Sequence, residues 1–250
     1  TGVPSGFIDL DYKTSGFQPS DFILIAARPS MGKTAFVLNV VDNVAVKKGL
    51  PCMVFSLEMS KEQLGQRLLS MESKVPMQSL KTGKLERRDW DDINIALDVL
   101  SKANIHIDDT AGVSIMEMKS KCRRLKAEEG LDLVVIDYLQ LMSTGKRTEN
   151  RVQEISEITR NLKIMAKELN VPVIALSQLS RSAEKNRTDH RPVLSDLRDS
   201  GSIEQDADVV LFLYRDAYYD NGEEADATTA ECIVAKNRHG EVGKVDPVSY

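Results

Sequence analysis

The stretch "FILIAARPSMGKTAF", Phe22 to Phe36, limits the possible fold more than any other part of the chain. An apolar run stops at a loop containing Pro29 and Gly32, and a Lys-Thr pair then opens a helical pattern. Residues 27–34, ARPSMGKT, match the phosphate-binding loop at every position except the first, where Ala27 replaces the usual Gly. The chemistry needs each part. Gly32 lets the backbone come close, so that successive amide N–H groups can point at phosphate oxygens. Lys33 supplies a point charge for the terminal phosphates. The Thr34 hydroxyl can ligate Mg²⁺, and the helix N-terminus adds its dipole. Ala27, Arg28, Pro29, Ser30, Met31, Gly32, Lys33 and Thr34 are therefore the candidate nucleotide-binding residues. The bland alternative is a strand-to-helix turn that merely contains Gly-Lys-Thr. The flanking strand and helix patterns argue against it.

Short apolar runs recur: 22–27, 52–57, 105–108, 133–139, 171–176 and 208–214. Most are continuously apolar, as in strands covered on both faces of a parallel sheet. Helical patterns lie between them. In residues 151–170, Val152, Ile155, Ile158, Leu162, Met165 and Leu169 follow a three-and-four spacing that predicts one apolar stripe. The fold class is α/β, a mostly parallel twisted sheet flanked by helices. The tail, 230–242, reads as a β-hairpin turning at His239-Gly240. Two polar stretches, 143–150 and 178–202, are long enough to be functional or disordered.

Composition excludes some classes. With 33 basic and 38 acidic residues in 250, the net charge of −5 argues against coating DNA by bulk charge, though not against a local basic channel. Three cysteines far apart suggest reduced thiols and a cytoplasmic location. The three histidines form no metal-ligand cluster, and no apolar run reaches membrane-spanning length. The chain opens on Thr1, not Met, so a fragment of a longer polypeptide is expected.

Ligands on open α/β sheets sit beyond the C-terminal strand ends, so polar residues there carry the chemistry. Asp137 ends the run "LVVID" and is placed to hold Mg²⁺ through water or Thr34. The alternative is a carboxylate capping a helix, but "YLQLMS" shows no clear helix start. Glu58 follows "CMVFSL", just before a capping-box pattern of Ser60 and Gln63. It can orient and deprotonate an attacking water, or be a surface acid. Gln178 can bond a γ-phosphate and report its presence, or be merely solvated.

With these residues in place, the chain resembles the C-terminal motor domain of the DnaB-type replicative DNA helicases of bacteria and phages. The likeness runs through "GFIDLD", "ARPSMGKTAF", "FSLEMS", "KCRRLK", "VIDYLQLM", "VPVIALSQLSR", "DLRDSGSIEQDAD" and "KNRHG". It implies a single RecA-like P-loop ATPase domain over 1–250, with the primase-contacting N-terminal domain absent. It also implies a homo-hexameric ring with ATP and Mg²⁺ between subunits, and 5′–3′ movement on single-stranded DNA. A primase and a helicase loader are the expected partners. Glu58 would be the catalytic base, Lys33 and Thr34 would hold ATP and Mg²⁺, and Asp137 would be the acidic Mg²⁺ residue. Gln178 would couple the γ-phosphate to the DNA loops. Lys236 and Arg238 would reach the neighbour's site as trans lysine and arginine finger. Without the resemblance they read as a solvated hairpin end. Arg198, Asp199 and Gly201 would contact the DNA backbone. The run 184–191 beside them is a further channel element or a mobile solvated loop. The polar loops contain almost no aromatic residue, which argues against base stacking and for backbone tracking.

Three rivals remain open on sequence alone. One is a recombinase-type filament that binds DNA with ATP but does not unwind it. The second is a small-molecule kinase, for which no lid or acceptor pocket is visible. The third is a nonenzymatic loader or scaffold, against which the intact Lys33, Glu58 and Asp137 argue.

Overall fold

Eight strands join in one sheet, ordered β3-β2-β4-β5-β1-β6-β7-β8. The computed structural model describes residues 2–29, 31–142, 150–179, 188–200, 203–215 and 229–249. In chain order the elements are α1 (Ile8–Thr14), β1 (Phe22–Ala27), α2 (Lys33–Asp42), β2 (Cys52–Ser56), α3 (Lys61–Ser73), α4 (Met77–Thr82), α5 (Arg87–Lys102) and β3 (Ile105–Asp108). Then come α6 (Ile115–Glu128), β4 (Leu133–Asp137), α7 (Arg151–Leu169), β5 (Val173–Gln178), α8 (Ile203–Asp206), β6 (Val209–Tyr214), β7 (Thr229–Asn237) and β8 (Gly243–Ser249). The pairs from β3 across to β6 are all parallel, and β7 and β8 add an antiparallel edge.

The central strand explains the two-layer core. Side chains alternate across a strand, and β1 is buried throughout. Phe22, Leu24 and Ala26 pack with the α6–α7 layer, including Met118, Ile158 and Leu162. Ile23, Ile25 and Ala27 pack with the α2–α3 layer, including Phe36, Val40 and Leu64. Burying each such aliphatic side chain stabilises the fold by about 1.5–3 kcal/mol.

The C-terminal hairpin forms as expected, with Arg238 to Gly240 in the turn between β7 and β8. The capping box also forms: Ser60 Oγ accepts from the Gln63 backbone, and Gln63 Oε1 accepts from the Ser60 N–H. Three expectations shift. The run 171–176 becomes β5 at 173–178, because pairing with β1 runs from Phe22↔Val173 to Ala27↔Gln178. The run 133–139 ends as a strand at Asp137, and a single 3-10 turn follows at Leu139–Leu141. Val152 leaves the α7 stripe and is 44% exposed, while Ile155, Ile158, Leu162, Met165 and Leu169 are buried. Val152 lies in the first turn, where the Asn150 cap accepts from its N–H at 3.0 Å and the helix has not yet reached the sheet.

Helices α2 and α3 carry an acidic contact at their far ends. Burial first, then a hydrogen bond to Glu72, pushes the Asp42 carboxyl from 3.8 up to about 7; Lys47 and Lys74 pull the other way. The folded chain holds this proton more tightly than the unfolded chain does. The contribution to stability is therefore fully present below about pH 4 and is lost as pH rises through about 7. The melting temperature should fall from about pH 4 to about pH 7, and Asp42→Asn should flatten that fall. Calorimetry across the pH series checks this, and parallel slopes in both proteins would show that the pair shares no proton.

Candidate nucleotide-binding and active site

The loop after β1 reaches α2 through Gly32, whose φ of +80° is the left-handed conformation that glycine accepts without strain. Lys33 and Thr34 open the helix, and no acidic residue occupies its first turn to neutralise its positive end. Lys33 is buried, and its Nζ has no hydrogen-bond partner among the described residues. It lies 3.8 Å from the centre of the Tyr138 ring. Burial lowers its ammonium pKa, while Asp137 and Glu58 pull it back up. Thr34 Oγ1 donates to Asp137 Oδ2 at 3.1 Å. The other Asp137 oxygen is buried without a partner among the described residues. Burial raises the Asp137 carboxyl pKa, partly offset by Lys33 and the Thr34 hydroxyl.

Buried polar atoms are nearly always paired, so an orphaned ammonium beside an orphaned carboxylate oxygen points to missing partners. A polyanion satisfies the first. A hydroxyl and a carboxylate in contact are hard oxygen donors and fit Mg²⁺.

Register delivers the remaining groups. Ser56 pairs with Asp137 across β2 and β4, and Leu57 N–H donates to the Asp137 carbonyl at 2.8 Å. Glu58 therefore emerges beside Asp137, exposed, in a turn closed by Ser56 Oγ donating to the Met59 carbonyl at 2.7 Å. Ala27 pairs with Gln178, so Gln178 stands at the loop's root. Gly32, Lys33, Thr34, Glu58, Arg67 and Gln178 line one cleft of about 580 Å³, together with Pro29 and others. Ala27 and Met31 are core residues that anchor the loop, and Arg28 is buried. Ser30 and Gly201 lie outside the described residues. Arg198 and Asp199 enter only through their backbone, in the 3-10 turn Leu194–Ser200.

Lys236 and Arg238 stand apart from this cleft. β7 runs antiparallel to β6, with Lys236 opposite Val210 and Asn237 opposite Val209. Val209 in turn pairs with Ile23, at the start of β1. Both cations therefore sit at the opposite edge of the sheet from the phosphate loop, about 15–20 Å away along six residues of strand. Arg238 forms an ion pair with Asp208 there and keeps half its side chain exposed.

The family of the DnaB-like helicase C-terminal domain matches residues 2–248. The chain belongs to that family. It is 56% identical over 246 residues to the "Replicative DNA helicase DnaB" of Geobacillus stearothermophilus, covering 98% of this chain and 54% of the relative. Against the "Replicative DNA helicase DnaC" of Bacillus subtilis (strain 168) the figures are 54% identity over 246 residues, with the same two coverages. The chain thus spans about half the length of these curated relatives. Among solved structures, an isolated ATPase domain superposes with a TM-score of 0.94 at 46% identity, covering all of this chain and 88% of that one. A DnaB-like replicative helicase studied with its interactions with primase gives the same score and identity, covering 60% of that chain. The fold is the RecA-like α/β core of DnaB-type motor domains, and these relatives lend no support to the recombinase alternative.

In this DnaB-family domain three further residues support the nucleotide site. Tyr138 floors the Lys33 ammonium, and Arg67 lines the cleft from α3. Gln140 clamps the end of β5. Its Nε2 donates to Ser177 Oγ at 2.9 Å and to the Gln178 carbonyl at 3.1 Å, and its Oε1 accepts from the Gln178 N–H at 3.1 Å. Only the neighbouring placement of β4 and β5 reveals the clamp. Gln140→Ala should lower stability to urea by about 1–3 kcal/mol and speed amide exchange at Gln178. Unaltered exchange there would show that the clamp does not hold the strand end.

Proposed function

We propose that this chain is the motor domain of a replicative DNA helicase, a DNA-stimulated ATP hydrolase working in a homo-hexameric ring. One observation carries the reading. The cleft gathers loop, base and sensor, while the two cations that such a site needs lie at the opposite edge of the same sheet. In one chain they cannot meet, and between adjacent chains they can. Lys236 and Arg238 of one subunit then complete the nucleotide site of the next. An arginine supplied in trans is worth about 10³–10⁵ in rate, about 4–7 kcal/mol of barrier.

ATP takes the cleft, and its phosphate oxygens give the Lys33 ammonium the partners it lacks. Thr34 and Asp137 would hold Mg²⁺, which neutralises charge on the phosphates when bound. Glu58 orients the attacking water and takes its proton. Gln178 registers the γ-phosphate, and its loss changes the grip of the following loop, with Arg198, Asp199 and Gly201, on the DNA backbone. Firing around the ring moves single-stranded DNA 5′ to 3′ and excludes the other strand. Residues 1–250 act as one motor unit, with primase and loader contacts lying partly outside it. Among the described residues no helix is long and apolar enough to cross a membrane. Cys52, Cys122 and Cys232 are buried and unpaired, with thiols pushed up to about 12 by burial, which supports a cytoplasmic assignment.

Glu58→Gln should keep ATP affinity and lose about 10²–10⁴ in kcat. Equilibrium binding alongside a phosphate-release assay checks this, and retained turnover removes Glu58 from the role. Arg238→Ala subunits, mixed with wild type, should depress activity more steeply than their fraction. A fall in simple proportion would rule out the trans assignment.

A further inference from the structure

The trans cations rest on a seat that the reaction does not explain. Asp208 is fully buried just before β6. Its Oδ2 accepts from the Phe22 N–H at 2.8 Å and from Lys163 Nζ at 2.6 Å. Its Oδ1 pairs with Arg238, and the Arg238 N–H donates to the Asp208 carbonyl at 3.0 Å. A buried carboxylate is expensive unless compensated, yet Lys163 from α7 already compensates this one. Lys163 also acts on the neighbouring acid Asp21, so Arg238 shares in compensating this pair of carboxylates. The same contact fixes the arginine. One guanidinium nitrogen is held in the ion pair, and the side chain stays half exposed. The turn is braced as well: Asn237 Nδ2 donates to the Lys13 carbonyl at 2.9 Å, and His239 Nε2 meets Asp21 Oδ2 at 2.6 Å.

The other cation has a seat on the same segment. Lys236 Nζ donates to the Glu204 carbonyl at 2.8 Å in α8. Asp206 in that helix accepts from Thr159 Oγ1 on α7 at 2.8 Å.

We infer that Asp208 is a positioning residue for Arg238. The inference rests on the trans reading given above. Losing the seat leaves Arg238 present but unaimed.

The test uses the complete protein and three variants mixed with wild type: Asp208→Asn, Arg238→Ala and the double variant, with Lys163→Met as a packing control. Asp208→Asn should lower DNA-stimulated kcat tenfold or more with the Kd for ATP unchanged, and should depress wild-type neighbours as Arg238→Ala does. The double variant should be no worse than Arg238→Ala alone, because the carboxylate acts through the arginine. Lys163→Met removes a partner of Asp208 but not the arginine's seat, and should depress neighbours far less. If Arg238→Ala poisons neighbours and Asp208→Asn does not, the positioning role fails while the trans reading stands. Additive losses, or an equal effect from Lys163→Met, would reduce Asp208 to a fold-stabilising residue. If neither variant poisons, the trans reading falls and takes the inference with it.

Discussion

The contact between Thr34 and Asp137, beneath an ammonium with no hydrogen-bond partner among the described residues, is the interaction on which the rest depends. Desolvating a cation and a carboxylate together destabilises an empty site. Here burial pushes both groups toward neutrality, Lys33 downward and Asp137 upward, while each restrains the other. The chain tolerates this because β1 and β4 are locked into a sheet covered on both faces. The unsatisfied atoms are held where, in the proposed reading, phosphate oxygens and a hard cation would recover what burial removed.

The same sheet separates two halves of one proposed reaction. Parallel strands send β1, β2, β4 and β5 to a common C-terminal edge, where loop, Glu58 and Gln178 converge. The antiparallel strand β7 runs the other way and delivers Lys236 and Arg238 to the opposite edge. A net charge of −5 is then no obstacle to the proposed handling of polyanions. The cations that the proposal uses are concentrated at two places, a buried loop and a braced hairpin turn.

Much of this was legible in the sequence because it depends on local patterns. A strand-to-helix glycine loop, a capping box and the acids at strand ends are set by neighbours within a few residues. Asp137, Glu58 and Gln178 were reachable because parallel sheets put functional groups at one edge. Val152 misled because spacing cannot tell where a helix first meets the sheet. The contacts of Gln140, Tyr138 and Asp208 were illegible for another reason. Their partners are Gln178, Lys33, and Lys163 with Arg238, each tens of residues away or more, and only strand order brings them together.

Strand order also bears on the geometry of assembly. In the proposed assembly, a donor edge and an acceptor edge on opposite ends of one sheet would make the contact between copies heterologous. Such contacts close into rings or continue as filaments according to the rotation between subunits. In the proposed ring every site is made of two subunits, so no subunit can complete hydrolysis alone. The segment 204–208 follows the proposed DNA contacts and seats both cations, through the Glu204 carbonyl and the Asp208 carboxylate. In that proposed ring the two cations and the cleft they serve would belong to different copies, each cation held by its own chain through the Glu204 carbonyl or the Asp208 carboxylate.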